Sequence, residues 1–210
     1  MHTRAARWTV ILLGGAALGV AAISFGPQAA QAQDQRQGGA PQGGRGRGFT
    51  LPPLLMESDA FPDGGIVPQK YAGRGGVQPG FKFSNAPAGT VSYAIIFHDL
   101  DVALMGGTTD VLHWVVWNIP ASANGIPEGK LPDGSVQGKN IAGQNVYIGP
   151  GAPPGPRYHH YVFELYALNT TLDLPPTAGR DELLKAMEGK TVATAAYVGR
   201  FRGEAAAGGR

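Results

Sequence analysis

The 210-residue chain contains no cysteine, which excludes disulfides, thiolate zinc sites and thiol nucleophiles. Charge is scarce. Asp, Glu, Lys and Arg make up 15% of the residues, well below the roughly 25% of an average soluble domain. The net charge of +2 is concentrated at the N-terminus, where residues 1–48 carry Arg4, Arg7, Arg36, Arg45 and Arg47 against Asp34 alone. Residues 49–210 carry 12 basic and 14 acidic side chains, a slightly acidic balance that argues against a nucleic-acid partner. The P-loop, dinucleotide GxGxxG, HExxH and GxSxG patterns are absent, as is any internal repeat. Glycine (33) and proline (17) are abundant instead, which disfavours a helical bundle or coiled coil and points to a loop-rich β protein. With 43% hydrophobic residues, one sizeable domain has enough apolar surface to bury.

The N-terminus reads as an export signal. Arg4 and Arg7 precede an apolar stretch from Trp8 to Phe25, and Ala30-Gln31-Ala32 satisfies the small-x-small cleavage rule. Residues 1–32 are therefore expected to be removed after Ala32, placing the protein in the periplasm or outside the cell. An uncleaved membrane anchor is the rival reading, because the apolar stretch approaches the ~20 residues that span a bilayer. Residues 33–48 (QDQRQGGAPQGGRGRG) hold almost no large apolar side chain and are expected to be a flexible tether. The domain proper is expected over residues 49–210.

Three strands stand out in that domain. Residues 93–98 (YAIIFH) are almost wholly apolar and run into Asp99-Leu100-Asp101. Residues 111–119 (VLHWVVWNI) are apolar on both alternating faces, as in a strand covered on both sides, and stop at Pro120. Residues 161–168 (YVFELYAL) set Tyr161 and Phe163 on one face and Tyr166 on the other. A helix is expected over 181–187, with Leu183, Leu184 and Met187 at helical spacing, Asp181 and Glu182 in its first turn and Gly189 as its stop. Residues 191–201 fit either a helical extension or a strand. Long irregular connections between strands indicate an antiparallel β-sandwich with a little C-terminal helix.

Candidate chemistry lies at the strand ends. His98-Asp99-Leu100-Asp101 places an imidazole and two carboxylates where a strand meets a loop. His113 lies within the second strand, and His159-His160 follow a stiff loop, Gly149-Pro150-Gly151-Ala152-Pro153-Pro154-Gly155. Glycine N–H groups in such a loop can cradle an oxyanion. Imidazoles add hydrogen bonds, and an aspartate holds a histidine in one tautomer. Trp114 and Trp117, on opposite faces of one strand, read as core.

The segments HDLD (98–101), HWVVWNIP (113–120), YIGPGAPPGPRYHHY (147–161) and FELYAL (163–168) together resemble the phosphatidylethanolamine-binding protein family, in its bacterial Raf-kinase-inhibitor-like branch. The resemblance spans roughly residues 49–201. It implies a large central antiparallel sheet, a small second sheet and short C-terminal helical segments, around a pocket for phosphate or phospho-headgroups. It places Asp99, His113 and His159 in that pocket, with Gly151 supplying a backbone N–H and Tyr147, Pro153 and Tyr161 forming walls. Asp101, Trp114 and His160 stand in secondary positions. Leu100 and Ala103 replace family prolines, His160 replaces an arginine that would face Asp101, and Phe83 stands where many members have tryptophan.

The function expected from these residues is exported binding of a small anionic or phosphorylated ligand, without catalysis, metal or cofactor. Peripheral contact with lipid headgroups is compatible with it. The alternatives are an inhibitor or scaffold of an extracytoplasmic protein partner such as a protease, and a His/Asp enzyme or metal site built on Asp99, His113 and His159.

Overall fold

The computed structural model describes residues 53–204. The signal expected over 1–32, the tether over 33–48 and the last six residues lie outside the described residues. Among those described, no helix is long and apolar enough to cross a membrane.

Among the described residues, nine strands and one α-helix follow in chain order. They are β1 (Leu55–Glu57), β2 (Gly65–Ile66), β3 (Phe81–Ser84), β4 (Ser92–Asp99), β5 (Val111–Pro120), β6 (Gly125–Ile126), β7 (Val136–Gln137), β8 (His159–Leu168), α1 (Arg180–Met187) and β9 (Thr191–Phe201). They form a six-stranded sheet of order β2-β9-β8-β4-β5-β7 and a three-stranded sheet of order β1-β3-β6. All pairings are antiparallel except the short β2–β9 contact. The large central sheet, small second sheet and C-terminal helix match the architecture that the resemblance implies. Residues 191–201 resolve as a strand, so a strand and not a further helix closes the described chain.

The expected strands hold because both faces of the large sheet are covered. On β5, Trp114, Val116 and Ile119 enter the core beneath the small sheet, while Leu112, Val115 and Trp117 enter a second core under α1. The two tryptophans are no more than 1% exposed. Phe97 of β4 stacks on Phe163 of β8, with ring centroids 3.8 Å apart, and Tyr161 and Phe163 share the first core. Leu183 and Met187 pin α1 to the second core, while Leu184 is 40% exposed. At Asn118 β5 takes a left-handed conformation (φ 56°), which asparagine tolerates better than most residues. Its side chain accepts a hydrogen bond from Leu172 N (2.7 Å) and donates to Leu172 O (2.9 Å), fixing the segment that leads to α1.

Candidate functional site

β4, β5 and β8 are adjacent strands, and their ends bring together the side chains of Asp99, His113, His159 and Tyr161. Asp99 is 3% exposed and His113 6%. In the β4–β8 register Asp99 lies opposite Tyr161. His159, two residues earlier and on the same face, sets its Nδ1 2.8 Å from Asp99 Oδ2. Asp99 Oδ1 accepts a hydrogen bond from Asp101 N (2.9 Å), which holds the turn after β4. The His113 ring stands edge-on to the Tyr161 ring at 5.3 Å, and the His159 ring is nearly parallel to Tyr161 at 6.4 Å.

The bonding partners decide where the protons sit. His113 Nδ1 lies 2.9 Å from the carbonyl oxygen of Ile148. A carbonyl only accepts, so Nδ1 carries the proton. Burial pushes the His113 pKa below the ordinary histidine value, outweighing the opposite pull of the Ile148 hydrogen bond and of Asp99. The neutral ring therefore presents an Nε2 lone pair. Burial likewise raises the Tyr161 phenol, reinforced by Asp99, so Tyr161 stays a neutral hydroxyl. That hydroxyl accepts the N–H of Gly151 at 3.2 Å. The expected backbone donor is thus tied to the cluster through Tyr161.

The remaining sequence candidates take other places. Tyr147 is buried, its ring stacked on Phe97 at 5.4 Å and its hydroxyl donating to Tyr71 O at 3.0 Å. Trp114 is buried beside it and donates Nε1–H to Gln137 Oε1 at 2.7 Å. Both support the cluster from the core. Pro153 is exposed on the loop. Asp101 forms a neighbouring pair with His160: its Oδ2 accepts from His160 N at 2.6 Å and lies 2.9 Å from His160 Nδ1.

Two features were not legible in the sequence. The permanent countercharge for Asp101, expected to be lost with His160, is supplied by Arg157, whose Nη1 is 3.5 Å from Asp101 Oδ1. His98 does not join Asp99 at the rim. Strand alternation turns it to the opposite face, where its Nδ1 meets Asp110 Oδ2 at 2.5 Å and Arg180 Nη2 meets Asp110 Oδ1 at 2.5 Å. Burial works against ionisation of Asp110, but the hydrogen bonds from Arg180 and His98 outweigh it and hold its carboxyl below the usual range. No local signal in the sequence marks the Asp110 or Arg157 pairing, because both partners come from distant segments. Among the described residues no cluster of three or more His, Asp or Glu side chains is arranged to hold a metal.

Comparison with known proteins places the fold. Residues 57–202 match the family PBP, phosphatidylethanolamine-binding protein. A protein of Methanothermobacter thermautotrophicus named only as a UPF0098 protein is 39% identical over 155 residues, covering 71% of this chain and 99% of its own length. A Mycobacterium tuberculosis protein whose name describes it as a candidate lipoprotein, LppC, is 34% identical over 152 residues, covering 72% of this chain and 73% of its own length. Among solved structures, a phosphatidylethanolamine-binding protein homologue from Chlamydia trachomatis is similar at 31% identity and a TM-score of 0.65, covering 72% of this chain and 99% of its own. YbcL of E. coli, described as a member of the mammalian PEBP family, is similar at 27% identity with the same TM-score of 0.65 and the same coverage. With a family-model match over residues 57–202 and a relative of 39% identity covered almost end to end, the chain belongs to the phosphatidylethanolamine-binding protein family.

Proposed function

We propose that the protein binds a small phosphorylated ligand, by its phosphate, at the Asp99–His113–His159–Tyr161 cluster, and that it does so without catalysis. The observation that carries this reading is the buried Asp99–His159 pair (2.8 Å) beside His113 at the foot of the Gly149–Gly155 loop. Asp99 orients the His159 ring through Nδ1, which leaves Nε2 pointing away from the carboxylate, where an anion would be met by a charge-assisted N–H of the imidazolium form. His113 offers a lone pair and Tyr161 a hydroxyl. A phosphate monoanion suits that set, because its P–OH donates to His113 while its anionic oxygens accept from His159. Among the described residues His113 and His159 hydrogen-bond to Ile148 O and Asp99 and to no Ser, Thr or Lys nucleophile, so binding fits the cluster better than covalent chemistry.

Export is part of the same proposal. The LppC relative's name supports an extracytoplasmic setting, and an N-terminus beginning at Gln33 on the mature protein is the expected outcome of mass analysis. Calorimetric titration of the purified chain with phosphate and phosphoethanolamine tests the site. Saturable binding that disappears in the His113→Ala/His159→Ala double variant, with the fold intact, supports it. Binding unchanged in that variant refutes the site assignment.

A further inference from the structure

A second arrangement of cationic groups stands apart from that cluster. Arg200 lies opposite His160 in the β8–β9 register, while Tyr161 pairs with Gly199; alternation therefore puts Arg200 on the sheet face away from Tyr161 and Asp99. The Arg200 guanidinium stacks over the Tyr158 ring at 5.8 Å, and that of Arg202 over the same ring at 4.5 Å. Each arginine is also anchored to backbone. Arg200 Nε–H donates to Gly64 O at 2.7 Å, and an Arg202 Nη1–H donates to Gly155 O at 3.2 Å. Two planar cations are thus oriented with most of their donors free.

Their electrostatic situation differs from that of their neighbours. Arg157 and Arg180 face Asp101 and Asp110, and Lys70 and Lys82 face Glu128 and Asp59. Arg200 and Arg202 have no carboxylate partner among the described residues. Arg202 and Tyr158 line a cavity of about 600 Å³ whose other walls include Val67, Pro68 and Phe201. Glu204 also borders it but pairs with neither arginine. A cavity of that volume falls within the small-molecule range. Asp99, His113 and His159 are not among its lining residues.

We propose that Tyr158, Arg200 and Arg202 form a second anion site, which takes the phosphate of a monoester whose apolar body lies against Val67, Pro68 and Phe201. Arg202 grips the phosphate in a fork geometry, Arg200 adds positive potential from its place over the same ring, and Tyr158 holds both guanidiniums in place. This site is independent of the Asp99–His159 cluster and stands or falls without it.

Phenyl phosphate is the probe, titrated into the full chain and followed by backbone amide shifts and calorimetry. Binding that perturbs Gly155, Tyr158 and Gly203 is expected. The affinity read from those shifts should fall about tenfold in Arg202→Gln and the shifts should vanish in Arg200→Gln/Arg202→Gln, while His113→Ala/His159→Ala, which removes any binding at the first cluster, leaves the shifts at Gly155, Tyr158 and Gly203 in place. Tyr158→Leu keeps both charges but removes the stack, and should also weaken binding several-fold. Inorganic phosphate, lacking the apolar body, should bind this site more weakly than phenyl phosphate. An unaltered circular dichroism spectrum in each variant separates lost binding from lost folding. Shifts at Gly155, Tyr158 and Gly203 that persist in the double arginine variant, that are lost only with the histidines, or that never arise in the wild-type chain each overturn the site.

Discussion

Asp99 and His159 meet diagonally across two antiparallel strands, Oδ2 to Nδ1 at 2.8 Å, and Tyr161 stands directly opposite Asp99 in the same register. One strand pairing thus sets both the orienting carboxylate and the two ring groups beside it. Asp99 is almost completely buried, and an ionised carboxylate there needs a hydrogen-bonded partner.

His159→Ala removes the donor proposed to face the ligand. A charge-assisted hydrogen bond contributes about 1.5–3 kcal/mol, so phosphate affinity should fall roughly 10- to 100-fold. Calorimetric titration of wild type and variant measures the ratio, and an unchanged affinity would remove His159 from the site.

Phosphate binding should be coupled to protons. The neutral His113 offers a lone pair and not a donor, because its proton is committed to Ile148 O. A phosphate dianion would meet that lone pair unfavourably, whereas the monoanion brings its own proton. Affinity should therefore rise as pH falls from 8 to 6, and titration in buffers of different ionisation enthalpy should register proton uptake at the upper end. A pH-independent affinity over that range would contradict the assigned tautomer.

Stability should decline in two separate acid steps. Burial holds the His113 pKa below the ordinary histidine value of about 6.5. As pH drops through 6.5 the unfolded chain takes up a proton that folded His113 resists, so stability falls; above that pH the residue contributes nothing. Asp101 and Asp110 are held below 3.8, where hydrogen bonds from His160 and Arg180 overcome the opposing effect of burial. Their contribution is present above 3.8 and lost as pH falls below it. Urea unfolding against pH should show both steps, and His113→Gln should flatten the first alone.

The Gly/Pro loop should tolerate alanine at one glycine and reject it at another. A Cβ on Gly149 would lie 2.0 Å from Tyr71 O, whereas one on Gly151 meets nothing within 4 Å. Gly149→Ala should destabilise the fold by about 1–3 kcal/mol, and Gly151→Ala should be nearly neutral. Equal melting temperatures for the two variants would show that the loop yields more easily than this packing indicates.

Leu183 is fully buried where α1 meets the second core. Leu183→Ala should cost about 2–5 kcal/mol, read by denaturant unfolding. Leu184→Ala, at an exposed position on the same helix, should change stability by less than about 1 kcal/mol.

Much of this molecule was legible in the order of its residues. Strands β4, β5 and β8 announce themselves because each carries apolar side chains on alternate or on both faces, and that pattern is local. The helix over residues 180–187 is equally local, set by the spacing of Leu183 and Met187 and by acidic residues in the first turn. The candidate cluster was legible too, since the strand ends that carry Asp99, His113 and His159 border a recognisable Gly/Pro loop. Tertiary structure decided the rest. Residues 191–201 mix three alanines, which favour helix, with β-branched and aromatic residues, which favour strand; ten of them pair with β8, and those long-range hydrogen bonds decide between the two. His98 and Asp99 are adjacent in sequence, but the pleat sends them to opposite faces, one to Asp110 and the other to His159. The partners Arg157 for Asp101, and Tyr158 for Arg200 and Arg202, depend on how the loop before β8 folds back upon its neighbours. Pairings of that kind arise from chain closure between distant segments, and no local pattern of residues encodes them.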